Sequence, residues 1–98
     1  MNDRVRDIND LDRVVHEPAR LMIVTILSVV EAADFVYLLH ETELNKGTLS
    51  SHLARLEESG YVEIEKTYRG KVPRTLLRLT PAGRVAFEDY RKKMKAAL

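Results

Sequence analysis

The sequence predicts an α+β fold that is mostly α. It is a winged helix-turn-helix, with a three-helix core plus a two-stranded β-wing and extra N- and C-terminal helices. Three observations predict it. Residues 45–59 form a capped amphipathic stretch in which Leu49, Leu53 and Leu56 recur at helical spacing before Gly60. Residues 61–80 alternate apolar and polar side chains on both sides of Arg69-Gly70-Lys71, as a hairpin does. Two further apolar helical patterns precede this unit, and the 98 residues are the length of one domain spanning 1–98.

The elements follow in order. Residues 3–15 set Val5, Ile8, Leu11 and Val15 three and four apart, one apolar stripe on a short helix. Glu17-Pro18 breaks that pattern and starts the next, because proline suits the first position of a helix. The helix from Pro18 to about Ala32 carries Ile23, Ile26, Leu27 and Val30 on one face and is the expected centre of the domain. Ala33-Asp34 supplies a break and an N-cap. A short helix over residues 34–41 turns Phe35, Leu38 and Leu39 inward, and residues 42–44 connect it to the helix that Asn45 caps. The helix-turn-helix is therefore residues 34–59, and Gly60 ends it in the left-handed conformation of a C-cap.

The wing is residues 61–80. Val62 and Ile64 alternate with Glu63 and Glu65 in a half-buried strand. Residues 68–73 contain both Gly70 and Pro73 and are expected to form a loop. Thr75, Leu77 and Leu79 alternate with Leu76 and Arg78 in the return strand. Thr80-Pro81 opens the last helix, which turns Ala82, Val85, Ala86, Tyr90 and Met94 to one side. Its basic end (Arg91, Lys92, Lys93, Lys95) suits the negative end of the helix dipole.

Composition excludes several classes. There is no cysteine, so disulfide, thiol and thiolate-metal chemistry are ruled out. His16, His40 and His52 are too widely spaced for a zinc site, so no metal is expected. No nucleophile–base order, phosphate loop or carboxylate pair emerges, so neither catalysis nor a cofactor is expected. The most apolar run, residues 21–30, is interrupted by Thr25 and Ser28 and is too short to span a membrane. The chain opens with alternating Asp and Arg, not a signal pattern, and a cytoplasmic location without a membrane partner is the expectation.

The net charge of +1 is uninformative, but its distribution is not. Residues 1–44 hold nine acids against four bases, while residues 66–78 hold Lys66, Arg69, Lys71, Arg74 and Arg78 and no acid. The positive charge is thus concentrated on the hairpin, where an anion would relieve its self-repulsion. On the helix before it, the face opposite the leucines begins with small and polar residues. Gly47, Thr48, Ser50 and Ser51 would let that helix sit deep in a major groove about 12 Å wide. Lys46 can reach phosphate, and Arg55 can reach phosphate or a guanine edge. Arg69, Lys71 and Arg74 around Gly70 are the expected phosphate or minor-groove contacts of the wing. His52 lies beside the buried stripe and reads as a partly buried or phosphate-adjacent histidine, and Tyr68 is the tyrosine nearest the hairpin tip.

Residues 49–62 (Leu-Ser-Ser-His-Leu-Ala-Arg-Leu-Glu-Glu-Ser-Gly-Tyr-Val) resemble the recognition helix and exit of MarR- and ArsR-type regulators. Leu77-Arg78-Leu79-Thr80-Pro81-Ala82-Gly83-Arg84 resembles their strand-to-helix junction, and residues 16–21 resemble the first core helix of small stand-alone members. The resemblance covers about residues 11–95. It implies a homodimeric transcription regulator, joined through its terminal helices, on a pseudo-palindromic double-stranded DNA operator. The Cys/His clusters of the metal-sensing members are missing, and the flanking helices are shorter than those that frame a ligand pocket in the larger MarR members.

The terminal stripes point the same way. Val5, Ile8, Leu11 and Val15, with Phe87, Tyr90, Met94 and Leu98, exceed what a domain this small is expected to cover. A two-fold dimer through residues 1–16 and 81–98 would cover them and set two reading helices about 34 Å apart. Two other readings share the fold: a protein-binding winged-helix module, and an effector-responsive sensor with a pocket at the dimer interface.

Overall fold

Each helix of the core begins at a side chain that accepts hydrogen bonds from the free N–H groups of its first turn. Glu17 caps α2 (Pro18–Leu27), accepting from Ala19 N at 2.7 Å and Arg20 N at 3.3 Å. Asp34 caps α3 (Phe35–Thr42) through Val36 N, and Asn45 caps α4 (Lys46–Glu58) through Thr48 N. Thr80 caps the last helix, α5 (Pro81–Ala97), through Gly83 N. The computed structural model describes residues 3–98, so the first two residues of the expected 1–16 segment lie outside it.

The wing is a hairpin of β2 (Val62–Arg69) and β3 (Val72–Leu79), paired in register from Val62–Leu79 to Arg69–Val72. A third strand corrects the expected two-stranded sheet. Ala33 and Asp34 form β1, which pairs antiparallel with Leu77 and Leu76, giving the order β1-β3-β2. Two residues are too short for any periodic signal. The expected loop over 68–73 is also corrected: both strands continue to a turn of Gly70 and Lys71 alone. Gly70, at the first central position with φ of 65°, suits a two-residue hairpin turn. Pro73 is tolerated because the pair next to the closing pair of such a ladder is not hydrogen-bonded, so its missing N–H faces away from β2.

Two helices end sooner than their apolar patterns. The pattern over 3–15 yields α1 (Asp3–Arg6) and a 3-10 turn (Asp7–Asp10), after which the chain extends at Leu11. The Asp12 carboxylate accepts from Val14 N at 2.8 Å and Val15 N at 3.1 Å, a side-chain turn that replaces the helical bonds. The central helix stops at Leu27 instead of about Ala32. Arg84 of α5 reaches across to the carbonyls of Ser28 and Val30 at 3.2 and 3.3 Å, satisfying oxygens a longer helix would have used.

One apolar core joins all the layers. Ile23, Val24 and Leu27 of α2 meet Leu38 of α3, Leu49, Leu53 and Leu56 of α4, and Val62, Leu77 and Leu79 of the sheet. Leu11, Val15, Phe87 and Tyr90 are buried in this same core, against the expectation that these positions need a partner chain to cover them. The N-terminal segment lies along α5, and its turn is held by a hydrogen bond from the Tyr61 hydroxyl to Asp12. Val85, expected inward, is exposed, because Gly83, Phe87 and Tyr90 form the buried side of α5. The molecule measures 58 × 25 × 21 Å.

Candidate nucleic-acid interface

With Leu49, Leu53 and Leu56 buried, α4 must present its other side to solvent. Lys46, Gly47, Ser50, Ser51, Ala54 and Arg55 are exposed there, and Thr48 is half-buried beside the Asn45 cap. Gly47 is not demanded by the fold, since a Cβ added there would meet Asn45 Oδ1 at an ordinary 3.6 Å. The guanidinium of Arg55 donates to Ser59 Oγ at 3.0 Å, which draws it towards the far end of the helix.

The helix is held in place from below. His52, on the same helix but turned inward, has Nδ1 3.2 Å from both Glu17 Oε2 and an Arg20 guanidinium nitrogen. Arg20 also donates to the Val14 carbonyl at 2.7 Å. Burial pushes the Glu17 carboxyl up, but the N–H groups of Ala19 and Arg20 and the charges of His52 and Arg20 outweigh it and hold it below its ordinary value. His52 thereby links α4 to the cap of α2. This agrees with its reading as a partly buried histidine.

The basic hairpin is partly neutralised. Arg74 binds Asp34, the cap of α3, at 2.9 Å, which removes it from the expected set of uncommitted wing contacts. Burial raises the Asp34 carboxyl, yet the Val36 N–H and Arg74 bring it below its ordinary value. Arg78 bridges Glu63 and Glu65 of the neighbouring strand at 3.2 and 2.9 Å. Lys66, Arg69 and Lys71 make no ion pair with any described residue. Five bases in sequence thus become three uncommitted cations, two of them flanking Gly70 at the tip. The acids that cancel the others come from β1 and β2, outside the acid-free window.

Between α4 and the wing lies a groove of about 300 Å³, bordered by Ser50 and Ala54 on the helix and Lys66 and Thr75 on the strands. Lys66 and Thr75 are cross-strand partners and so share one face of the sheet. Lys66 is marked in the sequence by the acid-free basic run, whereas Thr75 is marked only by the strand alternation. The expected dimer positions divide. Val5 and Ile8 are exposed and Met94 is half-buried, whereas Leu11, Val15, Phe87 and Tyr90 are already used by the protomer. The Tyr90 hydroxyl and His16 Nδ1 share a hydrogen bond of 2.9 Å.

A capped helix with a small polar face, set beside a basic hairpin on a three-helix core, defines a winged-helix DNA-binding protein. Residues 19–98 match the winged helix DNA-binding domain family, and the chain belongs to it. Its fold is shared with MarR-family transcriptional regulators, and the family it belongs to is one of DNA-binding domains. An uncharacterized protein of Methanocaldococcus jannaschii is 37% identical over 79 residues, covering 80% of this chain and 85% of that one. A transcriptional regulator homologue from Pyrococcus horikoshii superposes with a TM-score of 0.87 at 26% identity, covering 97% of this chain and 93% of the other. The transcriptional repressor BigR from Xylella fastidiosa is 26% identical with a TM-score of 0.66, covering 95% and 88%. No helix among the described residues is long and apolar enough to cross a membrane.

Proposed function

We propose that this protein binds a pseudo-palindromic double-stranded DNA operator as a homodimer and represses transcription by occupying it. One observation carries the reading. The exposed face at the start of α4 is small and polar and lies beside a hairpin whose tip cations have no acidic partner among the described residues. Gly47, Thr48, Ser50 and Ser51 would enter the major groove, with Lys46 and Arg55 on its phosphates. Arg69 and Lys71 would hold the adjacent minor groove or its backbone, with Gly70 allowing close approach. Arg74 would act by bracing the wing against α3. The surfaces left for a second copy are Val5 and Ile8 with Met94 and Leu98, towards the free ends of the terminal segments. The name of the BigR repressor supports the sign of regulation.

Fluorescence anisotropy across a salt series, against the gene's own upstream DNA and a scrambled duplex, tests this. Tight, sequence-dependent binding with two protomers per site is expected. Lys71→Ala should weaken binding to both duplexes and lower the salt slope by about one. Ser51→Glu should abolish binding with the fold intact, by placing a carboxylate against phosphate. Equal weak binding to both duplexes that vanishes as salt rises would overturn the operator reading.

A further inference from the structure

We propose that the groove between α4 and the wing is a seat for the DNA strand that separates the two grooves, with Lys66 as its phosphate-binding residue. This rests on the DNA-binding reading above. If α4 lies in a major groove and the tip of β2–β3 in the adjoining minor groove, one sugar–phosphate strand has to cross between them. A groove open to that crossing is bounded by Ser50 and Ala54 on one side and by the Lys66–Thr75 pair on the other.

The chemistry of the walls fits a phosphodiester. Lys66 makes no ion pair with a described residue, and no acid lines the groove. The hydroxyls of Ser50 and Thr75, like those of Thr48, Ser51 and Thr67, make no hydrogen bond among the described residues, whereas those of Thr25, Ser28, Thr42, Ser59 and Thr80 are bonded to backbone carbonyls. Two uncommitted hydroxyls and one uncommitted ammonium therefore converge on a space whose floor, Phe35 and Ile64, is apolar. That combination suits a phosphate with its deoxyribose, the charged oxygens on Lys66 and the hydroxyls and the sugar on the floor. Ala54 matters by being small, since a longer side chain would fill the passage. The contact would carry no base information, and would fix the angle between helix and wing on the duplex.

The test compares wild type, Lys66→Ala, Lys66→Arg and Ala54→Leu by anisotropy over a salt series, with circular dichroism to confirm the fold. Lys66→Ala is expected to lose about tenfold in affinity on specific and scrambled DNA alike and to lower the salt slope by about one. Lys66→Arg should restore the slope, and Ala54→Leu should weaken binding at least as much as Lys66→Ala. A scan of single neutral methylphosphonates should find one position that weakens wild type and leaves Lys66→Ala unaffected. Unchanged affinity and slope in Lys66→Ala, while Lys71→Ala still lowers both, would overturn this seat and leave the DNA-binding reading standing. Failure of the wild type to bind any duplex would overturn both.

Discussion

Gly83 shows how much a single residue can settle. A Cβ there would lie 2.2 Å from the carbonyl oxygen of Tyr61, which is itself bonded to Thr80 N at 3.0 Å. Thr80 meanwhile donates through its hydroxyl to the Gly60 carbonyl at 2.6 Å and accepts from Gly83 N. The Leu-Thr-Pro-Ala-Gly junction therefore welds the end of the wing to the end of α4. Gly83→Ala should destabilise by about 2 kcal/mol, through backbone displacement, and lower Tm by roughly 10 °C. A Tm within a degree or two of wild type would show that the junction yields. Tyr61 carries a second prediction. Its hydrogen bond to Asp12, together with burial and the Asp12 charge, pushes the phenol up to about 12 from 10.0. The folded state thus favours the protonated phenol, so this stabilisation is complete below pH 10 and is lost as pH rises towards about 12. Tyr61→Phe should have the lower Tm at neutral pH, and the two Tm–pH profiles should converge across that alkaline window. Parallel profiles would remove Tyr61 from the linkage.

At the scale of elements, α4 meets two demands that can be separated. Gly47 costs helix stability and no local contact requires it. Gly47→Ala should therefore raise stability by about 0.5 kcal/mol and weaken specific DNA binding, because the added methyl faces the groove. Gain in Tm with undiminished affinity would mean that the start of α4 does not press against DNA. The same distinction explains what was legible in the sequence. The leucine stripe of α4, the caps at Asp34, Asn45 and Thr80, and the strand alternation are local, so they survive without knowledge of the fold. The tertiary decisions are not local. Asp34 cancels Arg74 from 40 positions away, and β1 exists only because Leu76 and Leu77 pass beside it. Asp12 ended the first helix by offering a competing turn, which the apolar spacing of Val5, Ile8, Leu11 and Val15 could not reveal. The exposed face of α4 and the tip of the wing were therefore readable as a candidate site. The neutralisation of Arg74 and Arg78, and the groove at Lys66, required the assembled sheet.

For the whole molecule, the question is how much apolar surface remains for a partner. Burial of Leu11, Val15, Phe87 and Tyr90 removes half of the stripe residues that argued for a dimer from sequence alone. Val5, at 47% exposure, Ile8, at 37%, and Leu98, at 91%, still face solvent. Ile8→Asp should shift the protein from two chains to one in multi-angle light scattering and weaken operator binding, while leaving the protomer's Tm nearly unchanged when measured at dissociating concentrations. A variant that remains a dimer would move the interface elsewhere, for which the groove between α2 and α5 that includes Leu21, Phe87 and Met94 is the next surface.

The two-residue turn at Gly70-Lys71 has a consequence for how such a wing can change over evolutionary time. Side chains along a paired strand alternate faces, so one residue inserted on one arm would turn every position beyond it to the opposite side. Lys66 and Thr75 would then no longer face the same way, and the cations beside Gly70 would be rotated out of line. Adding two residues to each arm keeps the pairing and the facing of the tip and moves it outward by about 7 Å. The reach of this hairpin is therefore adjustable only in matched steps of two residues per arm, and descendants with longer or shorter wings should differ by multiples of four residues.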